Sequence, residues 1–484
     1  ELGMIFQEPM SSLNPVFRCG EQVDEVTRIH LRYSKEKARA HTLELFSHVQ
    51  LPDPERIYRA FPHQLSGGQK QRVMIAMAMA AGPQILIADE PTTALDVTVQ
   101  KAILDLMARL RHETGAAVLF ITHDLGVVAE IADRVLVMYK GKIVEQGRVK
   151  EIFTNPKHPY TQGLLACRPP IDKRLRRLPT VEDFLQNEQE KPGIENVKTV
   201  LSRVEVSRQD SWERLEKLKE KEPLLQVSGL KTWFPREKNL LGKTLSWVKA
   251  VDDVSLELFP GETLGLVGES GSGKTTFGRS ILRLQSHTAG TVRYDDKNIF
   301  ELSEEEMRKM RTRMQIIFQD PYSSLNPRMT IGQAISEPMA VHQIVRDKRK
   351  RKERSIELLE RVGMKAEHYN RYPHEFSGGQ RQRVCIARAL SVNPEFIVCD
   401  ESVSALDVSV QAQVLNLLLE LREEYGLTYI FISHDLSVVR FMSDRIAVMK
   451  NGKIVECDAA DEIYEHPKNA YTKALIAAIP QIEL

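Results

Sequence analysis

The chain repeats itself over most of its length, and a repeat this long admits only a duplicated domain. The run Ile5-Phe6-Gln7-Glu8-Pro9-Met10-Ser11-Ser12-Leu13-Asn14-Pro15 returns as Ile317-Phe318-Gln319-Asp320-Pro321-Tyr322-Ser323-Ser324-Leu325-Asn326-Pro327, an offset of 312 (319 less 7). Leu65-Ser66-Gly67-Gly68-Gln69 returns as Phe376-Ser377-Gly378-Gly379-Gln380 at an offset of 311 (377 less 66). Asp89-Glu90 and Asp400-Glu401 keep that offset, as do Thr122-His123-Asp124 and Ser433-His434-Asp435. The tails match too: Pro156, Tyr160 and Thr161 against Pro467, Tyr471 and Thr472. A length of 484 residues leaves room for two domains. The repeat predicts a first domain with its tail over residues 1–167, a linker over 168–223 and a second domain over 224–484.

The linker mixes acids and bases in near balance and is expected to be partly ordered. Trp212, Leu215 and Leu218 fall at helical spacing, which allows a short amphipathic helix over residues 207–222. Over the whole chain, 67 Lys and Arg nearly cancel 66 Asp and Glu, which argues against a nucleic-acid binder. The five cysteines show no CxxC pair and no metal-ligand spacing, as expected of a reducing compartment. Cys385 and Cys399 sit in apolar runs and read as packing residues. No apolar run approaches the roughly 20 residues of a membrane helix.

The strongest chemical signal is Gly268-Glu269-Ser270-Gly271-Ser272-Gly273-Lys274-Thr275-Thr276, which fits G-x-x-x-x-G-K-[ST]. An apolar run, Thr263-Leu264-Gly265-Leu266-Val267, precedes it as a strand, and a helix is expected after it. Glycines let backbone N–H groups close around phosphates, and the helix N-terminus adds positive potential. Lys274 is expected to reach the β- and γ-phosphates of ATP, and Thr275 to ligate Mg²⁺. Two further apolar runs, residues 84–90 and 395–401, each end in Asp-Glu. Buried parallel strands read this way, and ligands bind at their carboxyl ends. Asp400 and Asp89 are placed to hold Mg²⁺, and Glu401 and Glu90 to polarise an attacking water. Such a pair alone is weak evidence, since acids often end strands; the glycine-rich loop gives it weight.

The Ser-Gly-Gly-Gln of both copies, about twenty residues before Asp-Glu, resembles the signature of ATP-binding-cassette (ABC) proteins. The resemblance covers both copies. It implies an α/β fold of two tandem cassettes, each a RecA-like mixed sheet with a helical signature subdomain. In such proteins two cassettes pair head to tail, and the signature residues Ser66, Gly67, Gly68 and Gln69, or Ser377, Gly378, Gly379 and Gln380, cap the γ-phosphate held by the other cassette's loop. Ser plus two glycines opening a helix is a second anion site without its own lysine. Gln7 and Gln319 look like the Q-loop glutamines, which contact Mg²⁺ and water and lie beside the membrane subunit. Ala94-Leu95-Asp96 and Ala405-Leu406-Asp407 look like D-loops, and His123 and His434 like the switch histidines. Trp233 stands where the family has an aromatic that stacks on adenine; Phe234 is its rival, and a core role is open.

Ser-Ser-Leu-Asn-Pro after each Q-loop, and the Pro-Tyr-Thr type of tail, are similar to the oligopeptide/dipeptide/nickel importers, among which fused double cassettes serve glutathione and microcin-type peptide systems. The resemblance implies an ATPase that docks on two transmembrane permease subunits fed by a solute-binding protein. It would sit peripherally on the cytoplasmic side of the inner membrane and touch the membrane through the permeases only. The solute is open among peptides, glutathione and metal chelates. A soluble double-cassette ATPase, such as a ribosome-associated translation factor, is the alternative, but the charge-balanced linker and paired tails argue against it. Only Cys167 lies near the tail, so the iron–sulfur cluster of some relatives is not expected.

The first copy has no counterpart of residues 224–312, so its phosphate loop is not in this sequence. Either the sequence is a fragment of a longer protein with two ordinary sites, or one site at most is competent. Loss of core strands would cost far more than the ~5–15 kcal/mol that stabilises a domain, which favours the fragment.

Overall fold

The computed structural model describes residues 1–7, 12–92, 97–170, 173–186, 193–238 and 244–479. It divides into two compact units, Glu1–Phe153 and Thr154–Ile479. No helix among the described residues is long and apolar enough to cross a membrane.

In the first unit, β1 (Leu2–Ile5), β2 (Ile85–Asp89) and β3 (Ala117–Ile121) form a parallel sheet in that order. β4 (Arg134–Tyr139) and β5 (Lys142–Arg148) form a separate antiparallel pair. The helix Gly67–Met79 buries Val73, Met74, Ile75 and Ala76 in one cluster with Ile5, Leu86 and Ala88 of the sheet. Its apolar residues outnumber one face because it is packed on both the sheet and the helical layer.

The second unit has the same strand plan with more members. β6 (Leu225–Lys238), β7 (Thr244–Leu258), β9 (Ala289–Tyr294) and β10 (Lys297–Asn298) form an antiparallel sheet. The other sheet has the order β11 (Met314–Ile317), β12 (Phe396–Asp400), β13 (Thr428–Ile432), β8 (Thr263–Val267), β14 (Arg445–Lys450), β15 (Lys453–Ala459). All its pairs are parallel except β14 with β15. Every residue of β8, β12 and β13 is buried, as continuous apolar runs in a parallel sheet require. β8 lies between β13 and β14. Among the described residues of the first unit no strand lies between β3 and β4, and there Leu119 and Ile121 are 50% and 44% exposed.

The segment 168–223, expected as a partly ordered linker, is folded over its described residues. It forms helices Val181–Leu185, Ile194–Arg203 and Arg208–Lys219. The last lies where the leucine spacing predicted a helix. The first two escaped notice because their buried residues, Val181, Phe184, Val197 and Leu201, are scattered among charges. What orders them is contact distant in sequence. They share one core with Leu415, Leu418 and Phe431 of the second cassette, and Leu165, Ala166 and Cys167 of the first copy's tail join the same unit. The Asn416 side chain clasps the backbone of Leu178, accepting from its N–H at 2.8 Å and donating to its C=O at 2.8 Å. Asn416→Ala would leave both buried groups unpaired and is expected to cost about 1–3 kcal/mol. A thermal melt tests this, and an unchanged midpoint would mean that the clasp contributes nothing.

Candidate nucleotide site

The carboxyl ends of the parallel strands in the second unit bring the predicted residues to one edge. Residues 268–273 leave β8 and enter the helix Lys274–Ile281. Gly273 has φ +108° and Gly268 φ +152°. A Cβ on Gly273 would lie 1.9 Å from the Ala250 carbonyl oxygen, and one on Gly268 2.1 Å from that of Met449. Only glycine fits at either position. The loop is thereby held as a ring of backbone at a helix N-terminus, an arrangement that suits phosphate. Lys274 is buried, and its Nζ donates to the carbonyl oxygens of Gly268 at 2.7 Å and Glu269 at 3.0 Å.

Thr275 Oγ1 donates to Asp400 Oδ1 at 2.9 Å. Asp400 Oδ2 is buried and has no hydrogen-bond partner; the nearest cation is Arg279, at 3.9 Å. Burial pushes the Asp400 carboxyl above its usual value, and Thr275 and Arg279 only partly offset this. Ser272 Oγ is likewise buried without a partner.

Glu401 follows on β12 with φ +47°, a left-handed conformation costly for a side-chain-bearing residue. Its N–H bonds to the Ile432 carbonyl at 3.0 Å, which fixes the turn. Its carboxylate accepts from Gln319 Nε2 at 2.8 Å and lies 3.6 Å from His434 Nδ1. Burial pushes Glu401 up, but the adjacent His434 imidazole, with Lys274, outweighs it and holds the carboxyl below its usual value. His434 is pushed down by burial and, more strongly, up by Glu401, so it ends above the ordinary histidine value.

The first unit assembles the same trio. Glu90, with φ +46°, accepts from Gln7 Nε2 at 3.0 Å and lies 3.0 Å from His123 Nδ1. Asp89 ends β2 beside it. Ala94-Leu95-Asp96 lies outside the described residues. Its counterpart Asp407 caps the helix Val408–Tyr425, accepting from Val410 N–H at 3.0 Å.

Ser66 and Ser377 cap the helices Gly67–Met79 and Gly378–Leu390. Each serine accepts from the N–H of the glutamine three residues on, Gln69 or Gln380, whose side chain accepts in return from the serine N–H. This is a reciprocal capping box, and the Ser-x-x-Gln spacing carried that signal in the sequence. A Cβ on Gly379 would lie 2.1 Å from Val410, so close packing demands that glycine. Trp233 is half-buried on β6, paired with Lys249 of β7, one residue before the Ala250 that backs Gly273. Lys249 Nζ lies 4.5 Å from its ring centroid, and Trp247 stands 6.5 Å away. Sequence reasoning missed Trp247, Lys249 and Tyr471, whose hydroxyl meets the Glu269 N–H. The tail's repeated Tyr-Thr was the available signal for the last.

With this geometry in hand, comparison with known families is decisive. A model described as "ABC transporter" matches residues 1–93 and 251–404. The chain belongs to the ABC transporter family. A second model, "Oligopeptide/dipeptide transporter, C-terminal region", matches residues 144–193 and 455–483, the two tails. The chain is 50% identical over 480 residues to the "Glutathione import ATP-binding protein GsiA" of Pectobacterium atrosepticum, covering 99% of this chain and 74% of that protein. It is 49% identical over 488 residues to the protein of the same name from Escherichia coli strain K12, covering 100% of this chain and 75% of that protein. The two units are ABC ATPase cassettes: the second has the mixed sheet that the sequence implied, the described strands of the first form a parallel sheet and a separate antiparallel pair, and each carries the signature helix. ABC ATP-binding subunits bind ATP and couple its hydrolysis to transport through membrane permeases.

Proposed function

We propose that residues 268–276 of the second cassette hold ATP with Mg²⁺ and that Glu401 is the general base for its hydrolysis. The reading rests on the buried Asp400 Oδ2 beside Thr275, which has no hydrogen-bond partner and for which a bound cation would supply a partner. Bound Mg²⁺ supplies charge neutralisation across the phosphate oxygens. Thr275, Asp400 and Gln319 are the residues that would hold it, with Gln7 and Asp89 their counterparts in the first copy. Lys274 binds the β- and γ-phosphates in exchange for its two loop carbonyls. Glu401 is ionised in the neutral range and takes a proton from water, while His434 and Gln319 orient its carboxylate. In the first cassette Glu90 and His123 have the same roles. Trp233 stacks on adenine, and Ser66–Gln69 and Ser377–Gln380 supply helix-N-terminal donors to a γ-phosphate.

In this reading the chain powers import of glutathione or short peptides. Its partners are two permease subunits and a solute-binding protein, on the cytoplasmic face of the inner membrane. The relatives' printed names and the paired peptide-transporter tails support it. Lys274→Ala is expected to abolish ATP binding to residues 268–276, read as the loss of one equivalent of bound ATPγS. Uptake of labelled glutathione and of a labelled dipeptide by the reconstituted transporter separates the cargoes. Uptake of neither would reject the cargo assignment, and unchanged ATPγS binding by the variant would reject the loop assignment.

A further inference from the structure

We propose that Tyr471, in the C-terminal tail, is a positioning residue for the phosphate loop, so that the tail sets the affinity of the second cassette for ATP. The inference rests on residues 268–276 being that loop. The Tyr471 hydroxyl accepts from the Glu269 backbone N–H at 3.0 Å. Lys274 bonds to the carbonyl oxygens on either side of that N–H, those of Gly268 and Glu269. Tyrosine and lysine therefore grip the same two residues, one by the donor and one by the acceptors. When Lys274 turns to phosphate, the tyrosine hydroxyl is what keeps the loop entrance in register. A preorganised loop binds more tightly because less ordering remains to be done on binding.

The tyrosine is itself aimed by a chain of fixed contacts. Glu456 on β15 accepts from the N–H groups of Lys468 at 2.7 Å and Asn469 at 3.1 Å, and from the Thr472 hydroxyl. The Asn469 side chain caps the helix Ala470–Ala477 by accepting from Tyr471 N–H at 2.8 Å. Lys450 Nζ lies 4.4 Å from the Tyr471 ring centroid, next in sequence to the Met449 whose carbonyl packs on Gly268. The tail residue thus meets the loop through its hydroxyl, while its ring rests against Lys450 of β14, a contact that survives removal of the oxygen.

The test is steady-state ATP turnover and ATPγS binding by Tyr471→Phe in the full subunit assembled with its permeases. The expected result is a KM for ATP and an ATPγS dissociation constant raised about fivefold, the worth of one net hydrogen bond. The kcat stays at its wild-type value. Glu456→Ala, which loosens the tail far from the loop, shifts KM in the same direction. A wild-type KM in Tyr471→Phe overturns the proposal. So does a loss of kcat at constant KM. Lys274→Ala, measured alongside, isolates the premise. If it leaves ATPγS binding intact, the loop assignment has failed; if it removes one equivalent while Tyr471→Phe binds normally, only the tail proposal has failed.

Discussion

Glu401→Gln is expected to lower ATP turnover at the second cassette by about 100-fold or more while nucleotide stays bound. The substitution keeps the shape of the side chain and its reach to Gln319, so the left-handed turn at φ +47° is not disturbed. It removes the carboxylate, the group of the trio proposed to take the proton from water. The carboxylate is held below its usual value against the push of burial by His434 and Lys274, so the base is ready at any pH near neutrality. The measurement is single-turnover hydrolysis of ATP together with nucleotide retained after gel filtration. Hydrolysis within threefold of wild type would move the base elsewhere, and loss of bound nucleotide would make Glu401 a binding residue.

The second large effect lies away from the nucleotide. Asp444 is buried among three guanidinium groups: Arg214 at 2.9 Å, Arg422 at 3.6 Å and Arg174 at 3.7 Å. Its second oxygen accepts from Thr263 N–H, at the start of β8, at 2.9 Å. Asp444→Asn leaves those cations facing a neutral amide and is expected to cost about 3–5 kcal/mol, the usual penalty for removing one partner of a buried ion pair. Burial pushes the Asp444 carboxyl up, but Arg422, Arg214 and Arg174 outweigh it, and the folded value lies below the ordinary 3.8. A depressed carboxylate contributes stability that is complete above the unfolded value and is lost as pH falls through the folded one. Acid should therefore weaken the wild type below about pH 3.8 more steeply than the variant. Urea unfolding across that window reads both effects. The repeat supplies the control: Asp133 pairs with Arg111 at 3.0 Å, but its side chain is 85% exposed. Asp133→Asn is expected to cost under about 1 kcal/mol. Equal costs at the two positions would reject burial as the cause.

What was legible in the sequence was what chemistry constrains locally. Gly268, Gly273 and Lys274 are fixed by a loop that closes on itself, and Asp400 and Glu401 by a strand end. The repeat displayed the Asp-Glu pair twice, as Asp89-Glu90 and Asp400-Glu401, whereas the loop occurs once in this sequence. The helices at Val181–Leu185 and Ile194–Arg203 were illegible for the opposite reason. Their order comes from Asn416 and from a core more than 200 residues further along the chain, and no local spacing announces a partner that far away. Tyr471 lies between these cases. Its recurrence beside threonine was visible, but that its hydroxyl meets Glu269 follows only from how Glu456 and Asn469 seat the tail.

The docking of residues 173–186 and 193–219 on the second cassette bears on how such a duplication is kept. Two copies joined by a passive tether can be separated again by any gene break between them. Here a break at residue 224 would strip Leu178 from Asn416 and Arg174 and Arg214 from Asp444. The downstream product would inherit an unpaired amide at Asn416, a part-stripped carboxylate at Asp444 and a bare apolar face. The bridge has become an organ of the domain that follows it, and fission is disfavoured before any question of transport arises.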